Sequence, residues 1–179
     1  FGTKKQKEKY LPQIVNGKIT TAVAVDESSH HNPINSEMKA SIKDDKYVLE
    51  GKKTFVGDGA SADILIVLVR TSGNPGDETG LSLFIVDSNE EGVSKIKLDM
   101  ADSRNYANII FSNVSISKDQ LLGDAESGGE TIERILDIGR IAMSAEMLGN
   151  AEAAFETTLE YLKQRKQFGV LIGTFQALQ

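Results

Sequence analysis

The stretch Ile64–Arg70 reads ILIVLVR, a continuous run of β-branched and aliphatic residues that favours a β-strand. Similar β-rich runs recur along the chain between turn signals such as Asn16-Gly17 and Gly73–Gly76. These runs are Thr20–Val25, Lys46–Leu49, Leu81–Val86, Val93–Leu98 and Asn108–Phe111. Because strands repeated at this spacing are typical of all-β architectures, residues 18–124 are predicted to form an antiparallel β-sandwich or barrel.

A different period begins near residue 128, where apolar residues are separated by three or four positions or by sums of these steps. This spacing places them on one face of an α-helix. The residues are Ile132, Ile135, Leu136, Ala142, Met143, Leu148, Ala151, Phe155, Leu159 and Leu162. A helix of about 35 residues would be roughly 50 Å long, too long for the β-rich part alone to cover. We therefore expect an α+β fold in which the β-barrel or sandwich is followed by a long helix of an incomplete helical bundle.

The composition excludes several classes of function. The 179-residue chain carries a formal net charge of −6, whereas a general nucleic-acid-binding protein needs a basic surface. It contains no cysteine, which rules out disulfides, zinc–thiolate sites, iron–sulfur clusters and thiol catalysis. No apolar run reaches the ~18 residues of a membrane span. Since no targeting segment is recognisable, we expect a cytoplasmic protein, with an organelle matrix as the alternative.

Both ends of the sequence look like interrupted elements. Thr3–Leu11 is predicted to be the exit of a helix that stops near Pro12, and Gly173–Gln179 is predicted to begin another helix. Because the first residue is Phe1 rather than methionine, we expect the chain to be an internal piece of a longer protein.

Two adjacent histidines, His30 and His31, raise the hypothesis of a metal site. On an extended chain, however, neighbouring side chains point in opposite directions. The sequence also lacks cysteine and an HExxH motif to complete such a site. We therefore interpret both as loop histidines and predict no metal site.

Five segments in a fixed order resemble the acyl-CoA dehydrogenase family. They are Lys9–Pro12 with Asn16-Gly17, Ala22–Glu27, Gly51–Gly59 with Ala62-Asp63, Gly80–Val86 with Gly92-Val93, and Tyr161–Gly169 with Phe175-Gln176. The last is the most specific, because it matches a long pattern at fixed spacing. The resemblance covers nearly the whole chain. It implies the end of an N-terminal helical domain over 1–17, a central β-domain over 18–124 and the beginning of a C-terminal helical domain over 125–179.

The resemblance also implies an activity. Members of the family are FAD-dependent oxidoreductases of fatty acid metabolism that remove an α-proton from an acyl-CoA while a β-hydride moves to flavin N5. Their partners are the acyl-CoA substrate and an electron-accepting flavoprotein, and they form homo-oligomers, as dimers or tetramers. The alternatives are a non-catalytic subunit that forms a hetero-oligomer with a paralogue, and a flavin oxidase or monooxygenase on the same fold.

The resemblance implies two sets of site residues. The flavin-binding set is Val25, Asp26, Phe55, Val56, Gly57, Arg165, Gln167, Phe168 and Gln176. Arg165 suits the FAD pyrophosphate of a neighbouring subunit, because a planar guanidinium bonds phosphate oxygens in pairs. The substrate-binding set is Asp137 and Arg140. The catalytic base is not among these residues: one branch of the family places it where this sequence has Gly139, and the commoner position lies beyond Gln179.

Departures from the family pattern keep other interpretations open. Asp26 stands where the family has a threonine, Ser28–Pro33 replaces a glycine-serine stretch, and Gly57 replaces another threonine. A carboxylate near a reduced flavin is unfavourable unless it points away. The alternatives are a strand end with a solvated loop at Asp26, a core role for Phe55, a basic helix end at Arg165, and a plain i,i+3 pair for Asp137 and Arg140.

Overall fold

The computed structural model describes residues 1–178. They divide into two compact units, Phe1–Glu133 and the residues from Arg134 onward. The first unit contains a short helix and one eight-stranded sheet, whereas the second contains most of a long helix and a small hairpin. None of the helices within residues 1–178 combines the length and the apolar character that a membrane crossing requires.

Helix α1 spans Lys4–Val15 and begins at a capping box. The Thr3 hydroxyl accepts a hydrogen bond from the Gln6 N–H at 3.2 Å, and the Gln6 side chain accepts one from the Thr3 N–H at 2.9 Å. The prediction of a helix exit that stops near Pro12 is therefore wrong, since the helix begins at this cap and continues through Pro12. It ends before Gly17, whose φ of +64° turns the chain away.

The sheet is built from strands β1 to β8. Their bounds are β1 Thr21–Ala24, β2 Lys39–Lys43, β3 Lys46–Val56, β4 Ile64–Arg70, β5 Leu81–Asp87, β6 Val93–Lys97, β7 Ala107–Ile116 and β8 Leu121–Leu122. The order in the sheet is β6-β7-β3-β2-β4-β5-β8, and β1 pairs with β4 off this path. The predicted β-rich middle domain followed by a long helix is thus confirmed. The sheet is open, because β6 and β8 at the two ends of this order do not pair with each other. It is also mixed rather than antiparallel as predicted, because β4 runs parallel to β1 and to β2.

Strands β4 and β5 lie at the centre of the hydrophobic core. Six of the seven residues of Ile64–Arg70 are buried, so both faces of this strand are covered and the sequence has no polar alternation. Arg70 is buried as well, and its guanidinium donates hydrogen bonds to backbone carbonyls of the neighbouring loops, including Ile34 at 2.6 Å and Thr79 at 2.9 Å. The predicted run Lys46–Leu49 is only the beginning of β3, whose far end carries the candidate site.

Helix α2 spans Gly128–Gln164, and its 37 residues agree with the predicted length. Its buried residues are Gly128, Thr131 and Ile132, all in the first turns. Strands β9 (Lys166–Gln167) and β10 (Val170–Leu171) form an antiparallel hairpin after it. In place of the α-helix expected from Gly173, the described residues form 3-10 helices at Ile172–Thr174 and Gln176–Leu178, while Gln179 lies outside the described residues.

Candidate functional site

The candidate site lies where the chain leaves β1 beside the last residues of β3. The Thr54 N–H donates to the Asp26 carbonyl at 2.7 Å, and the Thr54 hydroxyl donates to the Ser28 carbonyl at 3.3 Å. These bonds join the two segments that carry Val25 with Asp26 and Phe55 with Gly57. The structure therefore brings together the two groups of predicted flavin-contacting residues in the first unit.

A buried lysine joins the same two strands from inside the domain. The side chain of Lys53 is 0% exposed, and its Nζ donates to the Val25 carbonyl at 2.9 Å, the Ser36 hydroxyl at 3.1 Å and the Glu27 carboxylate at 2.6 Å. These contacts use all three donors of the ammonium group. The end of β1, the inside of β3 and the loop before β2 are thereby fixed to one another.

The Glu27 carboxylate holds the loop before β2 in the same way. It accepts the N–H of Glu37 at 2.7 Å and the N–H of Met38 at 3.1 Å, in addition to the Ser36 hydroxyl. A side chain that is 15% exposed thus satisfies donors from three consecutive residues and from Lys53. A carboxylate with this many donors anchors the backbone on which the neighbouring Asp26 is carried.

Burial and charge act in opposite directions on Glu27. Burial raises the pKa of this carboxyl, but the charge of Lys53 and the hydrogen bonds from Lys53, Ser36 and the Glu37 N–H outweigh it, so the pKa lies below its ordinary value. Burial lowers the pKa of Lys53, and the contact with Glu27 opposes that shift only in part. Each buried charge is therefore stabilised by the opposite charge of its partner, which offsets part of the cost of burial.

Sequence reasoning missed the Lys53–Glu27 pair. Both residues lie inside the segments that carry the family resemblance, but neither was singled out. Lys53 lies four residues after Leu49 on the same strand, and residues an even number of positions apart face the same side of a sheet. That spacing was the available signal that Lys53 faces inward with the apolar Leu49, which is unusual for a lysine.

Phe55 has a strained backbone and an exposed ring. Its φ of +52° lies in the left-handed region that aromatic residues rarely adopt. The β3–β7 pairing shifts register between Lys53 and Val56, as in a β-bulge, and the extra residue turns the Phe55 side chain to the surface. Phe55 is 54% exposed, whereas Val56 is 2% exposed and belongs to the core. The interpretation of Phe55 as a core residue is therefore not supported, whereas the side chain of Val56 lies in the core.

Two neighbours hold Phe55 in this conformation. Its ring stacks on that of Tyr106, with 4.4 Å between the centroids and 26° between the planes. Its N–H donates to Oδ1 of Asn108 at 3.0 Å. Gly57, two residues later, is exposed, and a Cβ added to it would lie 3.6 Å from the Tyr106 ring, an ordinary van der Waals contact.

Asp26 is paired rather than isolated. Both of its carboxylate oxygens lie 2.9 Å from Nδ1 of His31, and both side chains are partly exposed. His30 lies beside it in the same loop, with its Nδ1 3.5 Å from the Ser29 hydroxyl. Within residues 1–178 no group of three or more histidine, aspartate or glutamate side chains is arranged to hold a metal ion.

The predicted dinucleotide-contacting residues of the second unit occupy one short segment. Phe168 and Gly169, with φ of +53° and +83°, form the two-residue turn between β9 and β10. The Phe168 ring is 91% exposed and lies 6.5 Å from that of Phe175, edge to face. The other members of this set, Arg165, Gln167 and Gln176, are exposed on the same segment.

Asp137 and Arg140, the predicted substrate-binding pair, form an i,i+3 ion pair on α2. Arg140 Nη1 lies 2.6 Å from Asp137 Oδ1, and the two side chains are 54% and 65% exposed. Gly139 stands beside them with no atom within 4 Å of the position of an added Cβ. The structure thus supports a helix-face pair, and the role in substrate binding stays a prediction.

Comparison with known proteins identifies the family. Residues 24–114 match the middle domain of acyl-CoA dehydrogenases, and residues 126–179 match their C-terminal domain. The chain belongs to the acyl-CoA dehydrogenase family. The site residues from Val25 to Gly57 thus fall in the middle domain of the family, and those from Asp137 to Gln176 in its C-terminal domain.

The relatives that this chain matches are longer than the chain itself. A 3-(aryl)acrylate reductase from Clostridium sporogenes is 37% identical over 99% of the chain and 48% of that protein. An acyl-CoA dehydrogenase from Bacillus subtilis is 36% identical, again over 99% of this chain and 48% of that protein. The FAD complex of PigA has a TM-score of 0.92 at 30% identity, over 99% of this chain and 47% of that one. The chain therefore spans about half the length of the relatives it matches.

Proposed function

We propose that the full-length protein is an FAD-dependent acyl-CoA dehydrogenase that removes an α-proton and a β-hydride from an acyl-CoA thioester. The observation that carries the proposal is the exposed ring of Phe55, held at φ +52° beside the end of β1. Strained residues that persist in a fold are concentrated at ligand sites, and an exposed aromatic face suits stacking on a planar ring. The acyl-CoA dehydrogenase of Bacillus subtilis and the FAD complex of PigA support this assignment.

The residues of this chain fit a bound FAD. Phe55 offers a stacking face for the flavin, with the Val25–Asp26 backbone beside it. The Asp26 carboxylate, unfavourable beside a reduced flavin, is held by His31, whose Nδ1 lies 2.9 Å from it. The exposed guanidinium of Arg165 suits a pyrophosphate. When bound, FAD supplies the acceptor for the hydride.

The remaining roles follow from position and chemistry. Phe55 and the backbone of Val56 and Gly57 orient the flavin ring, while Gln167, Phe168 and Gln176 contact the dinucleotide beside Arg165. In a homodimer or homotetramer that dinucleotide belongs to a neighbouring subunit. We propose that Asp137 and Arg140 orient the acyl-CoA, and we assign the catalytic base to no residue of this chain. An electron-transferring flavoprotein would reoxidise the enzyme, in the cytoplasm or an organelle matrix.

The first experiment is the visible absorption spectrum of the full-length protein purified with FAD, before and after anaerobic addition of acyl-CoAs of different chain length. A flavin band near ~450 nm that is bleached by an acyl-CoA but not by free CoA is expected. Phe55→Leu removes the stacking face while keeping an apolar side chain, and it should weaken the retention of FAD. A protein that binds FAD but is reduced by no acyl-CoA contradicts the proposed reaction.

Asp26 favours a second candidate, a non-catalytic subunit of a hetero-oligomer. A carboxylate stands where the family has a threonine, and the loop Ser28–Pro33 has no glycine for a close approach of a cofactor to the backbone. Such a protein would be colourless when purified alone and yellow when co-expressed with a paralogue. A yellow protein that is active alone excludes this candidate.

A further inference from the structure

We infer that Tyr106 is a positioning residue for the flavin: its ring stacks on one face of Phe55 and holds it in the exposed orientation, with the opposite face turned to the flavin. This inference rests on the proposed function. A phenylalanine with φ of +52° must be held in that backbone conformation by contacts with its surroundings. Phe55 is also an exposed aromatic residue, so burial of its own ring does not account for the conformation.

The register of β3 and β7 explains which neighbours can reach Phe55. Val56 pairs with Ala107, and both residues are buried in the core. In an antiparallel pair this places Phe55 opposite Asn108, and Gly57 opposite Tyr106. The Phe55 N–H therefore meets the Asn108 amide directly, whereas the Tyr106 ring reaches Phe55 along the diagonal.

Gly57 lies beside the Tyr106 ring. The ring atom Cε1 of Tyr106 lies 3.6 Å from the place where a Cβ of residue 57 would be. The threonine found there in the family would put two further heavy atoms on that Cβ, beside the ring. An added Cβ would make an ordinary van der Waals contact with the ring, so Tyr106 packs beside residue 57 as well as against Phe55.

The backbone of Tyr106 is itself well anchored. Its carbonyl accepts the N–H of Leu98 at 2.9 Å, and the next residue, Ala107, is 0% exposed. The ring plane is 26° from that of Phe55 and the centroids are 4.4 Å apart, so the two rings are stacked and Tyr106 covers one face of the Phe55 ring. A ring supported on one face in this way is suited to present its opposite face to a flat ligand in one orientation.

The test uses the full-length protein reconstituted with FAD and compares Tyr106→Leu with Tyr106→Phe. The leucine variant should raise the dissociation constant of FAD about tenfold and change the visible circular dichroism of the bound flavin, since an aromatic stack is lost. The phenylalanine variant keeps the ring and should stay within about twofold of the wild type. Tyr106→Leu should also lower kcat more than it raises KM for the acyl-CoA.

A matched control is Tyr47→Leu. Tyr47 also lies on β3 and forms an aromatic pair with Phe84, with 4.8 Å between the ring centroids. It lies at the opposite end of β3 from the register shift between Lys53 and Val56. This variant should lower the melting temperature without changing FAD affinity or the flavin spectrum. If Tyr106→Leu does not fold, Asn108→Ala removes the acceptor of the Phe55 N–H and should change the same flavin signals.

The outcomes separate the inference from the proposed function. A wild type that binds FAD while Tyr106→Leu binds it equally well with an unchanged flavin dichroism overturns the inference alone. Equal effects of Tyr106→Leu and Tyr47→Leu on FAD affinity also overturn it, because they indicate general destabilisation. A wild type that binds no FAD overturns both the inference and the proposed function.

Discussion

Two ion pairs of equal length occupy opposite surroundings in this molecule. Lys53 and Glu27 lie 2.6 Å apart inside the β-rich unit, where the lysine is 0% and the glutamate 15% exposed. Arg140 and Asp137 also lie 2.6 Å apart, but on the long helix, where both side chains are more than half exposed. Because the distance is the same, the contrast in exposure is the main difference in what each pair contributes to stability.

The contrast in burial indicates which of the two ion pairs fixes the geometry of the candidate site. The buried Lys53–Glu27 pair lost its water on folding and replaced it with hydrogen bonds to Val25, Ser36, Glu37 and Met38, so removal of one partner leaves an uncompensated charge. The exposed pair keeps its water and is screened by salt. The first pair therefore determines the geometry of the β1 end, whereas the second leaves the stability of the fold nearly unchanged.

The largest expected effect follows from Glu27→Ala. This change leaves the Lys53 ammonium buried without its counter-charge and removes the acceptor of two backbone N–H groups, so we expect a loss of about 3–5 kcal/mol in local stability. Hydrogen exchange in the full-length protein measures it, because the Glu37 and Met38 amides should exchange much faster. The control is Glu37→Ala, which removes an exposed carboxylate one residue from Met38 and keeps both amide bonds to Glu27.

A double variant that lacks both buried charges tests whether the unpaired lysine causes the loss of stability in Glu27→Ala. Replacing both partners, as Glu27→Leu with Lys53→Met, removes the buried charges together and should recover most of the stability lost in Glu27→Ala. The melting temperature of the full-length protein and the exchange of the Met38 amide are the measurements. A double variant no more stable than Glu27→Ala would show that the hydrogen bonds of the carboxylate, rather than the unpaired lysine, dominate the cost.

The next expected effect is that the contribution of Glu27 to the stability of the fold depends on pH. Because the pKa of Glu27 is lowered in the folded state, its contribution to stability is complete above the ordinary value of 4.5 and is lost as the pH falls through the lower folded-state pKa. The difference in melting temperature between the wild type and Glu27→Gln should therefore be constant near neutral pH and shrink in acid below pH 4.5. A difference that grows on acidification contradicts the assignment.

A smaller effect is expected for the partly exposed Asp26–His31 pair. His31→Gln removes the partner of the Asp26 carboxylate, and we expect a stability loss of only about 0.2–1 kcal/mol. Affinity for FAD should nevertheless fall, because the Asp26 carboxylate loses the contact with His31 that holds it in place. The matched control is His30→Gln at the neighbouring loop histidine. Equal losses of FAD affinity in both variants would assign the effect to the loop rather than to the pair.

The fold was largely predictable, because its determinants are local. The continuous apolar run Ile64–Arg70 predicts a strand, and the three-and-four spacing after residue 128 predicts a helix. Strand β4 and helix α2 form where they were expected. The two errors have different causes. The parallel pairing of β1 with β4 joins segments far apart in sequence, which a periodicity does not encode. The start of α1 was missed although Thr3 and Gln6 have the local spacing of a capping box.

The candidate site was predictable only through the family resemblance, which named Val25, Asp26 and Phe55. The contacts that hold these residues were missed, because they join positions far apart in sequence. Glu27 meets Lys53 across 26 positions, and Phe55 meets Tyr106 only because the register of β3 and β7 shifts at the bulge. A single sequence gives no measure of such a register.

The smallest expected effect on stability is that of Asp137→Asn. An exposed i,i+3 pair contributes about 0.2–0.5 kcal/mol, so the melting temperature of the full-length protein should be almost unchanged, and less affected still in high salt. If Asp137 and Arg140 orient the acyl-CoA, the same variant should raise KM for the substrate. Glu160→Gln is the matched control, because it breaks another exposed i,i+3 pair on α2, with Lys163 at 2.8 Å. A higher KM in Asp137→Asn alone would assign the pair to substrate binding, whereas equal kinetics in both variants would leave it as a surface ion pair of the helix.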